Sequence, residues 1–261
     1  TNTMFMKSGM NPMKYDVIVI GGGPAGMFAA ITAGKAGKNV LLLERNDRLG
    51  KKLLITGKGR CNVTNDCTEQ EILQNIPRNG RFLYSAMTAF PPRSIMDFFE
   101  NAGCELKTER GNRVFPVSDK AVDIVDALDK WLKQTGVHRL HDTVKHILVE
   151  DGVVTGVETD QHGRIDAFAV ILATGGLSYP RTGSTGDGYE FAESAGLKTV
   201  EPKPALAPME IEEDWCRELQ GLSLRNISVK VMREGAKKAV YEDFGEMMFT
   251  HFGLTGPVIL S

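Results

Sequence analysis

The sequence has few cysteines and no excess of either charge, and both features limit what the protein can be. Its four cysteines (Cys61, Cys67, Cys104 and Cys216) form no C-x-x-C pair and no metal-binding spacing with the five histidines. This usage predicts no metal site and favours a reducing compartment, the cytoplasm. The 31 lysines and arginines nearly balance the 33 aspartates and glutamates, which gives a net charge of −2. We therefore expect no basic surface for a nucleic-acid partner.

The sequence also lacks an uninterrupted apolar segment that could cross a membrane. The stretch from Val17 to Ala33, preceded by Lys14, superficially imitates a signal peptide or a membrane helix. Three consecutive glycines and Pro24 interrupt it, which would break such a helix but suits a strand, a turn and a helix in succession. We expect no membrane partner, and we interpret residues 1–13, with four methionines and no periodicity, as a disordered leader.

What the sequence does contain is a strand–helix–strand unit between Asp16 and Glu44. The apolar, β-branched run Val17–Ile20 suits a strand buried on both faces of a parallel sheet. A Gly-x-Gly-x-x-Gly turn follows, and then an alanine-rich segment whose small side chains let a helix pack close to the sheet. A second apolar strand, Val40–Leu43, ends at Glu44. This order predicts a βαβ unit that binds a dinucleotide.

Each glycine of the turn has its own expected role. Gly21 permits the tight turn out of the strand, Gly23 lets the backbone approach a pyrophosphate, and Gly26 allows close contact between helix and strand. Free N–H groups and the helix dipole then attract the phosphates. Glu44, at the end of the second strand, can accept hydrogen bonds from both ribose hydroxyls. The alternative is an ordinary strand–helix turn with Glu44 as a solvated end.

A basic, glycine-containing segment follows, from Arg45 to Asn65. Its composition suits a loop that wraps an anionic ligand, with backbone amides and basic side chains facing the phosphates. A solvated basic loop fits the same composition.

Three motifs make the chain resemble a known family. They are residues 50–65 (GKKLLITGKGRCNVTN), residues 111–116 (GNRVFP) and residues 249–257 (FTHFGLTGP). They resemble a bacterial family of NAD(P)/FAD-dependent oxidoreductases of the HI0933 type, which includes aminoacetone-oxidase-like and bile-acid-reductase-like flavoproteins. The resemblance covers nearly the whole chain from Tyr15 onward. It implies FAD as a tightly held cofactor that cycles by hydride transfer.

The resemblance also implies where FAD binds. A main-chain group at Val144 meets the adenine, and the strand that ends in Ala173–Gly175 passes beside the cofactor. The loop Lys51–Asn62 lines the flavin side, with Arg60, Cys61 and Asn62 near the ring. The full set of expected cofactor-binding residues is Gly21, Gly23, Pro24, Ala25, Gly26, Glu44, Arg45, Lys51, Lys52, Thr56, Gly57, Gly59, Arg60, Cys61, Asn62, Val144, Ala173, Thr174 and Gly175.

The reaction is defined less closely than the cofactor. We expect a small-molecule substrate and NAD(P)H as a transient electron donor, but no residue is assigned as a proton donor. Cys61 has no partner cysteine and is expected to be a packed small residue. Two other functions remain open, an NAD-dependent dehydrogenase that uses the same Gly21 motif and a non-catalytic nucleotide-binding module. The Ala173–Gly175 segment and the loop Gly57–Asn62 favour FAD over NAD.

The rest of the chain predicts an α/β fold, a Rossmann-type FAD-binding domain with a parallel sheet and a β-meander. Periodicity predicts helices at 68–75, 80–89, 92–102 and 119–134, with Phe98 and Phe99 in the core. Strands at 143–150 and 153–159, with a third that runs into Ala173–Gly175, form the meander. Asp187 is expected to cap the next helix, and the glycine-rich loop Gly183–Gly188 is expected to lie near the cofactor or the substrate. Four histidines are expected to be solvated, namely His138, His141, His146 and His162.

A proline-rich segment at 199–208 predicts a domain boundary. The FAD-binding domain is then 14–198, and 199–261 begins a β-rich insertion or substrate domain with strands at 224–231, 238–241 and 246–250. The sequence stops at Ser261 in an apolar run, and chains of the resembling family continue and return to the first domain. We expect part of the FAD-binding domain and of the flavin pocket to lie outside residues 1–261.

Overall fold

The computed structural model describes residues 14–260, which divide into two compact units between Thr199 and Val200. The predicted leader, residues 1–13, lies outside the described residues. The strands are β1 (Tyr15–Ile20), β2 (Val40–Glu44), β3 (Thr64–Asn65), β4 (Leu106–Glu109), β5 (Arg113–Pro116), β6 (His138–His141), β7 (Val144–Glu150), β8 (Val153–Thr159), β9 (Gly163–Leu172), β10 (Met209–Glu210), β11 (Ser223–Met232), β12 (Ala239–Phe249) and β13 (Gly253–Thr255). The α-helices are α1 (Pro24–Lys35), α2 (Glu69–Gln74), α3 (Tyr84–Ala89), α4 (Pro92–Asn101), α5 (Ala121–Gln134), α6 (Asp187–Ser194) and α7 (Pro257–Leu260). Short 3₁₀ turns cover Leu53–Gly59, Gly80–Leu83, Pro180–Thr182 and Asp214–Arg217.

The first unit is built on a six-stranded sheet in the order β6-β2-β1-β9-β8-β7. β1 lies between β2 and β9 and is parallel to both, with Val17 opposite Val40 and Ala169. β9 has two partners along its length, because its first residues pair antiparallel with β8 and its last residues pair with β1. β7, β8 and β9 form the meander. The predicted α/β Rossmann fold, with a parallel sheet and a β-meander, is confirmed.

Side chains of the parallel strands alternate between two cores. Val19 and Leu42 pack with the helices, where Ile31 of α1 and Leu128 of α5 are almost fully buried. Ile18 and its neighbours on the other face pack with β8 and α6. Burying one such side chain stabilises the fold by about 1.5–3 kcal/mol, so the two-sided burial fixes the register of the strands.

Phe98 and Phe99 of α4 belong to the helix-side core, as predicted. Phe98 stacks on Trp131 of α5 with ring centroids 5.4 Å apart, and it also contacts Phe28 of α1. These rings hold α4 and α5 on α1, which begins at the glycine turn.

Several short strands of the first unit were not predicted. β3, β5 and β4 form a separate three-stranded antiparallel sheet next to helices that were predicted. Strands of two to four residues are too short to show a period of two. β6 was read only as a polar region, because three of its four residues are exposed at the edge of the sheet.

The second unit is β-rich, with a four-stranded antiparallel sheet in the order β10-β13-β12-β11. The strands predicted at 238–241 and 246–250 are wrong as separate elements, since β12 runs through both. Gly245, which lies between the two predicted strands, pairs with Ile227 of β11. A methyl group added to Gly245 would lie 3.3 Å from the Val258 side chain, so the glycine serves close packing within a continuous strand.

Within residues 14–260, none of the helices is long and apolar enough to cross a membrane.

Candidate cofactor site

A cleft of about 560 Å³ in the first unit opens at the carboxyl ends of β1, β2 and β9. Its wall includes Ile20, Leu43 and Leu172, the apolar ends of these three strands. Ligands of open α/β sheets bind at such carboxyl ends, because the loops and helix N-termini converge there. The start of α6 and the start of β7 complete the cleft.

The glycine turn forms the inner part of the cleft. Gly21 has a φ of +108°, and a methyl group there would overlap the carbonyl oxygen of Ala173. A methyl group on Gly26 would overlap the carbonyl oxygen of Gly21, so the helix lies directly against the strand end. Gly23 differs, because nothing lies within 4 Å of the position that its Cβ would take. Its open side is the cleft, where both Gly23 and Pro24 are exposed to a ligand.

Helix α1 begins at Pro24 with Gly23 as its N-cap, and no side chain caps it. The N–H groups at a helix N-terminus carry about half a positive charge together, and the first turn of α1 contains no acidic residue that would offset it. This end of the cleft therefore suits an anion such as a pyrophosphate.

Glu44 stands at the edge of the cleft, held by three donors. Its Oε2 accepts a hydrogen bond from the N–H of Gly22 at 2.6 Å. Its Oε1 accepts from the backbone N–H of Asn46 at 2.8 Å and from the Asn46 side chain at 2.7 Å. A carboxylate has about four acceptor positions, so capacity for a hydroxyl donor remains. The bonds fix the carboxylate's orientation beside the turn.

Arg45 connects the end of β2 to the start of α6. Its guanidinium donates to Asp187 Oδ2 at 2.6 Å, to Thr185 Oγ1 at 2.5 Å and to the carbonyl oxygen of Gly183. The prediction that Asp187 caps α6 is wrong, since Gly186 is the N-cap and no side chain caps the helix. Asp187 is the first residue of the helix, and its carboxylate pairs with Arg45 instead.

Lys51 and Lys52 also face the cleft. The Nζ of Lys51 lies 3.3 Å from Asn46 Oδ1, and the Nζ of Lys52 lies 3.3 Å from Ser178 Oγ. Partial burial lowers the pKa of Lys52 from its usual value. Both ammonium groups bind neutral oxygens, so their charge remains available to an anionic ligand.

Asp142, Thr143 and Val144 form the end of the cleft beyond Glu44. Burial alone would raise the pKa of Asp142, but hydrogen bonds from His162, Thr159 and the backbone N–H groups of Thr143 and Gln161 outweigh it and lower the pKa to about 2. The four histidines predicted to be solvated are exposed. One of them, His162, still bonds Asp142 through its ring Nδ1 at 2.7 Å.

The structure brings most of the predicted binding residues together around the cleft. Those that line it are Gly21, Gly23, Pro24, Ala25, Glu44, Arg45, Lys51, Lys52, Val144, Ala173, Thr174 and Gly175. Seven others lie outside the lining, namely Gly26, Thr56, Gly57, Gly59, Arg60, Cys61 and Asn62.

Arg60 is engaged by acidic side chains. It donates to both oxygens of Glu109 at 2.9 Å and to Asp119 at 3.1 Å, and its guanidinium lies 4.0 Å above the Phe115 ring. Cys61, next to it, is buried in the helix-side core, as expected of a packed residue. Burial raises the pKa of the Cys61 thiol, although a hydrogen bond with Thr56 partly offsets the effect.

The chain matches the family model described as the HI0933-like protein Rossmann domain over residues 15–257. It belongs to this family. The ribosomal RNA dihydrouridine synthase of Escherichia coli (strain K12) is 32% identical over 95% of this chain and 60% of its own length. The 3-dehydro-bile acid delta(4,6)-reductase of Clostridium scindens is 30% identical over 91% of this chain and 57% of its own length. The chain thus spans about 60% of the length of these relatives.

Solved structures show the same fold at low sequence identity. The open conformation of a flavocytochrome c3 fumarate reductase superposes with a TM-score of 0.52, at 23% identity over 82% of this chain and 48% of that one. L-proline dehydrogenase from P. horikoshii gives a TM-score of 0.50, at 17% identity over 74% of this chain and 58% of that one.

The HI0933-like family consists of flavoprotein oxidoreductases, and FAD is its cofactor, as the sequence predicted. The cleft fits the ADP half of FAD by its own geometry. The uncapped helix and the methyl-sized space at Gly23 suit the pyrophosphate, and the fixed Glu44 carboxylate suits the ribose. Within residues 14–260, no group of histidines, cysteines and acids is arranged to hold a metal ion.

Several lining residues of this HI0933-like chain were not predicted from the sequence. They are Asn46, Asp142, Thr143, Thr182, Tyr189 and Phe191, besides the strand ends, whereas Gly183, Ser184, Asp187 and Gly188 belong to the glycine-rich loop that was expected near the cofactor or the substrate. Asn46 and Asp142 each follow the end of a strand of the parallel sheet, and polar residues in that position face the ligand edge. That rule could have found them. Thr182, Tyr189 and Phe191 reach the cleft only through the tertiary fold.

Proposed function

We propose that the whole protein is an FAD-dependent reductase that delivers hydride to a carbon–carbon double bond conjugated to a carbonyl group. The observation that carries the flavin site is the uncapped α1 terminus beside the fixed Glu44 carboxylate. The names of the two relatives support the substrate class. Dihydrouridine is uridine with two hydrogens added across such a bond, and a delta(4,6)-reductase of a 3-oxo compound acts on the same arrangement.

FAD, when bound, supplies the hydride chemistry. The residues of this chain bind and orient it. The turn at Gly21–Gly26 and the α1 dipole hold the pyrophosphate, Glu44 holds the ribose, and the backbone near Val144 meets the adenine. Lys51 and Lys52 add positive charge at the same cleft, and Ala173–Gly175 packs beside the turn.

A small, conjugated carbonyl compound is the first candidate substrate, with NAD(P)H as the transient electron donor. A uridine within RNA is the second, favoured by the name of the E. coli relative. The net charge of −2 does not decide between them, because a local basic surface is compatible with a neutral total. The cytoplasm suits both candidates, and the four cysteines are free in the structure.

The test is to purify the full-length protein and follow its flavin absorption. We expect a yellow protein that is bleached by NADPH or NADH without oxygen, and that regains its colour when a conjugated enone is added. A uridine-containing RNA is the parallel trial, with a dihydrouridine-containing RNA as the control that cannot accept hydride. A colourless protein that binds no added FAD would refute the flavin site. A protein that is bleached but not reoxidised by either compound would refute the substrate class alone.

A further inference from the structure

Asp142 lies between β6 and β7 in an unusual position for a charged group. Among the charged residues that the structure describes, Asp142 alone is buried, and its side chain has no exposed surface. A carboxylate without water is costly unless several donors surround it. The arrangement of its donors therefore shows what this residue does.

The donors come from separate parts of the chain. The N–H groups of Thr143, Gln161 and His162 donate to the Asp142 carboxylate at 2.7, 3.1 and 3.2 Å, and the His162 ring lies at 2.7 Å. The backbone N–H of Asp142 itself donates to the carbonyl oxygen of Glu44 at 3.1 Å. One residue thus joins the end of β2, the start of β7 and the turn between β8 and β9.

The start of β7 needs such support. β7 is the outer strand of the sheet, so it has a strand partner on one side only. The pairing with β8 is irregular between Val144 and His146. Thr143 and Val144 nevertheless line the cleft immediately beyond Glu44. Thr143 is held there by the bond from its N–H to Asp142 and by the bond from Asp160 N–H to its carbonyl oxygen at 2.9 Å, and Val144 follows it directly, opposite Thr159 of β8.

We propose that Asp142 is the positioning residue for recognition of the adenine base. It fixes the backbone of Thr143 and Val144 so that the base is recognised, in addition to the ribose and the phosphates. Asp142 acts through these neighbours, because its carboxylate has no surface with which to touch a ligand. The inference rests on the proposed FAD site.

The chemistry of the base provides the test. Adenine presents an N–H donor and an adjacent nitrogen acceptor, whereas hypoxanthine presents a carbonyl acceptor and an adjacent N–H donor. If the backbone of Thr143 and Val144 is held in one position, its hydrogen-bonding groups match adenine and repel hypoxanthine. If that backbone is loosened, it can bind either base. ADP and inosine diphosphate carry the two bases on the same ribose and pyrophosphate, so the ratio of their dissociation constants measures base recognition alone.

The experiment is calorimetric titration of the apo-protein with ADP and with inosine diphosphate. We expect the wild type to prefer ADP by about tenfold and Asp142→Asn to lose most of this preference. Asn keeps the size of the side chain but turns an N–H group toward donors that need an acceptor. Asp16→Asn is the matched control, since the Asp16 carboxylate also holds a backbone N–H, that of Asn39 at 2.8 Å, at the opposite end of β1. It should leave the ratio unchanged.

Equal weakening of both nucleotides in Asp142→Asn, with an unchanged ratio, would show a merely structural role and overturn the inference while the FAD site stands. A wild type that binds FAD and ADP without discriminating the bases would overturn it as well. If the wild type binds neither ADP nor FAD, both the role of Asp142 and the proposed function are refuted. If Asp142→Asn does not fold, His162→Ala removes one bond from an exposed ring and should lower the ratio by a smaller factor. No change there would count against the proposal.

Discussion

The turn Gly21–Gly26 and the loop Lys51–Asn62 both offer positive charge, but in different forms. In the turn the charge comes from backbone N–H groups at an uncapped helix, which cannot move to another partner. In the loop it comes from long side chains, and Arg60 pairs with Glu109 and Asp119 instead of facing the cleft. Backbone charge stays where the fold places it, whereas the side-chain charges of the loop divide: Lys51 and Lys52 face the cleft, but Arg60 pairs with acids outside it. A glycine pattern is therefore a firmer guide to a cofactor contact than a basic residue.

The largest effect should come from the turn, where two glycines can be compared directly. Gly26→Ala places a methyl group on the Gly21 carbonyl oxygen, so we expect it to lower the free energy of unfolding by about 3 kcal/mol or to prevent folding. Gly23→Ala meets open space and should keep the unfolding free energy within about 0.5 kcal/mol. Gly23→Ala should still weaken FAD binding by at least about tenfold, because the added methyl group blocks the close contact between the backbone and the pyrophosphate. Urea unfolding and FAD titration measure the two effects. Normal FAD affinity in Gly23→Ala would remove the pyrophosphate from the turn.

Glu44→Ala should weaken FAD binding by about 1.5–3 kcal/mol, the cost of losing a hydrogen bond to a charged group. Fluorescence quenching of FAD titrated into apo-protein measures it. Because Glu44 also holds Gly22 and Asn46, Asn46→Ala is the control for the local structure. An unchanged dissociation constant in Glu44→Ala would place the ribose elsewhere.

Asp142 should make the stability of the ADP side of the cleft depend on acid pH. Its pKa is lowered to about 2 in the folded protein from 3.8, so it stabilises the folded state when ionised. This contribution, about 2 kcal/mol, is fully present above about pH 4 and is lost as the pH falls through about 2. We therefore expect the stability difference between wild type and Asp142→Asn to be constant from about pH 5 to 7 and to narrow below about pH 4. Urea unfolding across this range tests it, and a difference that grew toward acid pH would contradict the assignment.

A smaller effect is expected from the ion pair between Arg45 and Asp187. A double-mutant cycle with Arg45→Ala and Asp187→Ala should give a coupling of about 0.5–1 kcal/mol in the free energy of unfolding. The pair is partly shielded from water, so part of the coupling should persist in high salt. The exposed pair Arg164–Glu150 is the matched control, and its coupling should vanish under the same conditions. If salt reduced the coupling free energy of both pairs equally, Arg45 would not stabilise the connection between the end of β2 and the start of α6.

The smallest effect on the cofactor should come from Arg60. Its guanidinium is held by Glu109 and Asp119, so Arg60→Ala should leave FAD affinity unchanged. Cys61→Ala should behave alike, since that thiol is buried in the core. Redox titration of the bound flavin shows whether Arg60 and Cys61 lie apart from the flavin or close to it. A fall in reduction potential in Arg60→Ala alone would show that the loop reaches the flavin, as the family resemblance implies.

The sequence predicted best where one local pattern fixed both structure and chemistry. Gly21–Gly26 and Glu44 belong to one βαβ unit, so their meeting at a sheet edge followed from the pattern alone. The resemblance added Val144 and Ala173–Gly175, which join that unit from far along the chain. Asp187 was placed in the right helix but given the wrong partner, because its ion pair with Arg45 depends on a tertiary approach that no local pattern contains.

Short or edge elements were the main failures in the fold. β3, β4 and β5 have too few residues for a periodic signal, and β6 is polar because it lies at the edge of the sheet. In β12, residues 242–245 were left out of the predicted strands, although Gly245 pairs within the continuous strand and packs close to Val258. The bounds of these strands depend on packing between distant segments of the chain, so the local sequence does not predict them.

The two-partner strand β9 has a consequence for the order of folding. Its first residues bond to β8, a near neighbour in the chain, but its last residues bond to β1 across most of the first unit. Contacts between distant segments form late, because loop closure opposes them until other structure is in place. The meander can form as soon as its own residues are available. The contact between Gly21 and Ala173 requires β9 to pair with β1, so the complete cleft forms only after both strands have left the ribosome.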